Sequence, residues 1–152
     1  MALPDYAELD CLSNFTFLTG ASHPEELVRT AADLGYRAIA LVDECSLAGV
    51  VRAWRQARQR TLQLLIGSRF RPQGQAFELI ILVQNPTGYA ALSRLITQAR
   101  QRSPKGQYTF MLDDVCSSAE QGMPTALLSG CLLILKPDYS LFSACLPALS
   151  DL

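Results

Sequence analysis

Ala38-Ile39-Ala40-Leu41-Val42-Asp43-Glu44 decides the fold. Five consecutive apolar residues with no polar alternation suit a strand covered on both faces, as in a parallel sheet with helices on either side. The run ends in two acids, so its carboxyl end delivers Asp43 and Glu44 to the rim where such folds assemble their sites.

The flanking segments read as helices. Ser22-His23-Pro24-Glu25 has the spacing of a capping box with proline in the first turn. Leu27, Ala31 and Leu34 then recur at helical spacing until Gly35 stops them, which predicts a helix over 24–34. Leu47 to Arg60 carries Leu47, Val50, Val51, Trp54 and Ala57 on one side and arginines on the other, an amphipathic pattern that assigns Trp54 to the core. Leu62–Ile66 and Phe77–Val83 read as strands separated by the turn Arg71-Pro72-Gln73-Gly74. Asn85-Pro86 opens a helix to about Arg100, Leu112–Gln121 reads as a short helix, and Thr125–Ser129 as a strand. Strands alternating with helices make this an α/β chain.

With 152 residues, 49% hydrophobic and 18% charged, the composition is that of one ordinary globular domain. The apolar runs are far shorter than the ~20 residues a bilayer requires, and no signal peptide opens the chain, so a cytoplasmic protein is expected. Five scattered cysteines without a C-x-x-C pair speak against both a disulfide framework and a zinc knuckle. They read as reduced, mostly buried small hydrophobes.

A net charge of −1 supplies no global attraction to nucleic acid. Arg52, Arg55 and Arg58 fall on one predicted helix and are the candidate nucleic-acid contacts, against the plainer reading of a solvated face. Tyr89, Tyr108 and Phe110 near Arg94, Arg100 and Arg102 could stack on single strands or simply pack. With His23 as the sole histidine no Ser-His-Asp or Cys-His arrangement is credible, and it sits where a capping role is expected. No Walker A or dinucleotide glycine fingerprint occurs.

A longer pattern runs through the chain. Tyr6 to Leu18, Gly20 to Leu27, Gly35-Tyr36, Asp43 to Val50, Ile66-Gly67-Ser68, Gln84-Asn85, Gly88-Tyr89, Leu92 to Ile96 and Leu128 to Cys131 occur in the order found at the start of bacterial C-family DNA polymerases. The chain resembles the amino-terminal part of their polymerase-and-histidinol-phosphatase (PHP) domain, closest to the error-prone, damage-tolerant branch. The resemblance covers roughly residues 6 to 131. It implies a truncated, distorted (β/α) barrel, with residues 1–152 as the amino-terminal portion of a PHP domain and the palm, thumb and fingers absent. It further implies, as partners, the remainder of a polymerase and its translesion accessory proteins, with DNA reached through the intact protein.

Catalytic PHP members hold up to three metal ions at the strand ends and hydrolyse phosphoesters, so a metal-dependent phosphoesterase or exonuclease is the alternative reading. The ligand pattern is largely replaced here. Asp10-Cys11-Leu12 stands where the family has His-x-His, Asp43-Glu44 where it has Asp-His, Arg69 where it has a glutamate and Glu78 where a histidine commonly stands. A hydrolytic multi-metal site needs several neutral imidazoles and carboxylates at fixed positions. Of these positions only Asp43 matches, so no catalytic residue and no cofactor is expected. Mg²⁺ or Mn²⁺ at the residual carboxylates is the remaining possibility.

Two structural expectations follow. Arg69 should point among Asp10, Asp43 and Glu78, or at least one of them, as an internal replacement for the metal. A barrel cut part-way should leave an unpaired strand edge, giving an open sheet or self-association.

Overall fold

The computed structural model describes residues 5–115 and 128–137. Its elements are β1 (Ala7–Cys11), α1 (Pro24–Asp33), β2 (Ala38–Leu41), α2 (Val50–Arg60), β3 (Gln63–Phe70), β4 (Phe77–Val83), α3 (Pro86–Gln101), a 3₁₀ turn (Leu112–Asp114) and β5 (Cys131–Pro137). The five strands form one sheet in the order β1-β2-β3-β4-β5. β1, β2 and β3 run parallel, joined by the α1 and α2 crossovers, whereas β4 and β5 are antiparallel additions. Gly67 permits the β3–β4 hairpin, since a Cβ there would meet the Ile81 carbonyl at 2.5 Å.

The sheet curls into an open half-barrel with its helices on the convex face. One outer layer is α1 and α2, where Val28, Ala31, Ala53 and Ala57 pack on Ile39 and Leu41. The second is α3, where Leu92, Leu95 and Ala99 pack with Phe70, Leu79, Ile81 and Phe110. The concave side holds Ala40, Val42, Ile80 and Leu82, with Leu12, Leu65 and Ile134 against them. Every residue from Ala38 to Val42 is therefore buried, as an uninterrupted apolar run requires. Truncating Ile81 or Leu92 to alanine would cost roughly 2–5 kcal/mol.

Several expectations are corrected. The capping box lies one residue later: His23 is the N-cap of α1, and its amide donates to Glu26 Oε2 at 2.9 Å. Trp54 is 47% exposed, because the buried stripe of α2 is Val50, Ala53 and Ala57, and the indole falls at its margin beneath the Arg58 guanidinium. α2 opens at Val50 and not at Leu47, and β3 continues to Phe70. The predicted strand Thr125–Ser129 lies largely outside the described residues, and its last two positions form a turn before β5. Of the predicted helix Leu112–Gln121 only the 3₁₀ turn is described. Among the described residues no helix is long and apolar enough to cross a membrane.

Candidate functional site

The carboxyl ends of β1, β2, β3 and β5 and the amino end of β4 share one rim, and the charged residues of the concave face collect there. Two groups of carboxylates form, satisfied in different ways.

Asp43, just past β2, is 2% exposed. Its carboxylate accepts the Ser13 amide at 2.8 Å, the Ser13 hydroxyl at 2.7 Å and the Thr16 hydroxyl at 2.7 Å. A buried carboxylate needs such donors, and here all three come from the loop after β1. The backbone of the same residue accepts the Ser68 hydroxyl at 2.7 Å and the Arg69 amide at 3.2 Å, which extends the β2–β3 pairing past the sheet. Asp43 thus latches the β1 loop onto the centre of the rim. Gly20 completes the latch, since a Cβ there would collide with the Ser13 carbonyl at 1.9 Å.

Asp10 of β1 and Glu78 of β4 are met by cations. The Arg69 guanidinium, whose side chain is 7% exposed, pairs with Asp10 and approaches Glu78 Oε2 to 3.1 Å. Lys136 of β5 reaches Asp10 at 2.8 Å and Glu78 at 3.5 Å, so a charged bridge runs from the last strand to the first across the mouth of the curl. Arg71 adds a hydrogen bond to Glu78 Oε1 at 2.9 Å. The Arg69–Glu78 contact is an ion pair without a well-directed hydrogen bond, and Arg69 Nε has no acceptor among the described residues. Arg69 therefore meets two of its three expected partners. Asp43 is not among them; its oxygens accept the Ser13 and Thr16 donors.

Glu44 lies at the flank of this bridge, 3.8 Å from Arg71 Nε. It accepts the Tyr108 hydroxyl at 2.8 Å, and burial followed by that hydrogen bond raises the pKa of the phenol. Arg100 donates to the carbonyls of Cys45 at 3.1 Å and Glu44 at 3.3 Å, holding Cys45 in a left-handed conformation (φ 45°). Burial pushes the thiols of Cys45 and Cys11 up to about 11, which leaves both protonated and poor nucleophiles near neutral pH. Leu12 lies in the apolar layer beneath the rim. Among the described residues no group of three His, Cys, Asp or Glu side chains could hold a metal ion.

Of the candidate nucleic-acid contacts, Arg52 is engaged by Glu25 of α1, Arg58 lies over Trp54 at 4.9 Å, and Arg55 is exposed. Phe110 is core and Tyr108 is tied to Glu44, so the expected aromatic cluster divides between packing and the rim. A groove of about 510 Å³, walled by Gln63–Ile66, Val83–Pro86 and Tyr89, opens at the other end of the sheet and contains no carboxylate, imidazole or thiol.

Sequence reasoning missed Ser13, Thr16 and Lys136. Lone charges inside apolar strands, Glu78 in Phe77–Val83 and Lys136 in Cys131–Pro137, were the available signal, since such a charge must find a partner on its own face.

The PHP domain family model matches residues 8–133. The chain is 52% identical over 143 residues to an error-prone DNA polymerase of Ralstonia nicotianae, and 50% identical over 141 residues to that of Ralstonia pickettii. These alignments cover 91% and 90% of this chain but 13% of each relative, so the chain spans a small part of their length. A solved structure from Bifidobacterium adolescentis, assigned as a metal-dependent phosphoesterase, matches the fold with a TM-score of 0.52 at 22% identity, over 62% of this chain and 33% of that one. On the family match across most of its length, the chain belongs to the PHP domain family.

Proposed function

We propose that this chain is the amino-terminal PHP region of an error-prone DNA polymerase that copies past damage, and that it serves there as a metal-free structural and docking unit. High identity to such polymerases over about nine-tenths of the chain supports the first part. Its partners would be the rest of the polymerase and translesion accessory proteins, with DNA contacted by the intact assembly.

The observation that carries the second part is the pairing of Asp10 and Glu78 with Arg69 and Lys136. A divalent ion between these carboxylates would sit within a few ångströms of a buried guanidinium, and at that range like charges repel by several kcal/mol at intermediate dielectric. Nor is Asp43 a free ligand, since its oxygens hold three hydrogen bonds that keep the β1 loop in place. The residues present do not fit the family's metal cluster, and no hydrolytic step is assigned to them.

The test is metal analysis of the purified chain together with thermal melting in EDTA and in Mn²⁺ or Zn²⁺. Substoichiometric metal and an unchanged melting temperature are expected. Tight stoichiometric binding at Asp10, Asp43 or Glu78, or metal-dependent release of phosphate from a phosphoester, would overturn the reading. For the polymerase assignment, the decisive observation is whether the natural reading frame continues past Leu152 into a palm domain.

A further inference from the structure

α2 holds four arginines and no acid. Two of them face α1, where Arg52 pairs with Glu25 and Arg60 pairs with Asp33 at 2.6 Å. Both pairs span 27 residues, so the two helices lie side by side with these arginines on the shared flank. Val51, Trp54, Arg55 and Arg58 recur at i, i+3, i+4 and i+7, which puts them on one strip of the outward side. All four are exposed, Val51 at 66% and Trp54 at 47%. Among the described residues Arg55 and Arg58 have no carboxylate partner, whereas Arg52 and Arg60 do.

The strip does not owe its exposure to where the sheet stops. α2 joins β2 to β3, which lie inside the strand order β1-β2-β3-β4-β5, and it turns Val50, Ala53 and Ala57 inward. The strip points away from the sheet, so a further strand at either edge would leave it bare.

Tryptophan and arginine are enriched among the interface residues that carry most of the binding energy. The Arg58 guanidinium lies 4.9 Å over the indole, which holds the ring in place before a partner arrives and so lowers the entropy lost on binding. Two unpaired cations around an apolar centre of Val51 and Trp54 are complementary to carboxylates arranged around an apolar side chain. Nucleic acid is a poorer match. Its backbone calls for a series of cations, and the adjoining α1 carries Glu25, Glu26 and Asp33. A half-charged strip also differs from the apolar surface that permanent contacts bury, which selects a separate protein over a fixed part of the same chain.

We propose that the outward strip of α2 docks an acidic amphipathic segment of a separate protein, with Trp54 as apolar anchor and Arg55 and Arg58 as the contacts to its carboxylates. The proposal stands apart from the polymerase reading, since it follows from α2 alone.

Trp54 is the sole tryptophan, so its fluorescence reports on the strip directly. The test titrates the 152-residue chain with a synthetic helical peptide of leucine and glutamate, with a leucine–lysine peptide of the same spacing, and with single-stranded oligothymidylate. The leucine–glutamate peptide should shift the emission to the blue in a saturable way, and the other two should not. Arg55→Glu combined with Arg58→Glu should weaken that binding by roughly tenfold or more while leaving the circular dichroism spectrum unchanged. Arg55→Gln with Arg58→Gln serves if the charge reversal does not fold. Arg37→Glu, at an exposed arginine just before β2, should leave the affinity as it is. The absence of a shift with the leucine–glutamate peptide overturns the proposal, as does an equal shift with its lysine counterpart or an affinity indifferent to Arg55 and Arg58. A shift produced by oligothymidylate and lost in the same variants also overturns it, and assigns the strip to nucleic acid.

Discussion

Asp43 and the Asp10–Glu78 pair occupy the same rim and have the same charge, yet the fold satisfies them by opposite means. Asp43 is surrounded by neutral donors from one loop, so it acts as a hydrogen-bond hub whose removal would release that loop. Asp10 and Glu78 are surrounded by cations from two strands, so they act as half of a charge bridge between the edges of the sheet. A carboxylate at a family's metal position is therefore not by itself a vestigial ligand. What it has become depends on whether its present neighbours are dipoles or charges, and the two cases respond differently to mutation, salt and pH.

The largest expected effect is at the hub. Asp43→Ala strands the Ser13 amide, the Ser13 hydroxyl and the Thr16 hydroxyl in a buried setting, and each unsatisfied group costs ~1–3 kcal/mol. A loss of roughly 3–5 kcal/mol in urea denaturation, or failure to fold, is expected. Added salt should not change that loss, because the lost partners are neutral. If Asp43→Ala instead costs under about 1 kcal/mol, the loop is held by something else.

Arg69→Ala comes second. It leaves Glu78 and Asp10 partly buried with only Lys136 and Arg71 nearby, and a loss of about 3 kcal/mol is expected. The comparison sharpens in Mn²⁺. A hard cation can enter a carboxylate cluster once the guanidinium has gone, so Mn²⁺ should raise the melting temperature of Arg69→Ala while leaving the native chain and Asp43→Ala unmoved. An equal response in all three proteins would remove the distinction.

The sheet was more legible than the site, for a physical reason. A buried strand such as Ala38–Leu41 must be apolar throughout, so periodicity alone identifies it. Trp54 was misplaced because helical spacing assigns a face but not its width, and small alanines at 53 and 57 let α1 and α2 pack closely enough to exclude the indole. β5 escaped because an edge strand with leucines on both faces lacks the alternation of a half-buried strand. At the site, the replacement of Leu12 and Arg69 could be read from the family pattern, and the direction of Arg69 followed from charge. The partners of Asp43 could not be read, since Ser13 and Thr16 lie 30 and 27 residues away and hydroxyls in a loop have no periodicity. Lys136 lies 126 residues from Asp10, a pairing that only the curl of the sheet creates.

Alkaline pH should act on the rim through two thiols raised by burial, Cys45 beside the hub and Cys11 beside Asp10. Cys45 follows Glu44 directly, and burial raises its thiol from an ordinary 9.0 to about 11. The native state holds this proton more tightly than the unfolded chain does. The contribution is therefore intact below pH 9 and is lost as pH rises through about 11. Stability measured by urea titration should fall across that window, and Cys45→Ala should flatten the fall while leaving stability near pH 7 less affected than Arg69→Ala does. A profile unchanged by the substitution would place the alkaline sensitivity elsewhere.

The smallest effect belongs to Lys136, and it discriminates most finely between hub and bridge. Its side chain is 47% exposed, so water and salt screen its contacts with Asp10 and Glu78, and Arg69 remains as the principal counter-charge. Lys136→Gln keeps most of the stem and removes only the charge, which should cost about 0.5 kcal/mol at low ionic strength and nearly nothing in molar salt. Combined with Arg69→Ala it should cost more than the sum of the two, because the second substitution leaves Asp10 without a cation. Combined with Asp43→Ala it should be additive, because the Asp43 carboxylate and the Lys136 ammonium share no side-chain partner. A non-additive Asp43–Lys136 pair in such a double-mutant cycle would show that the two groups of carboxylates form one network.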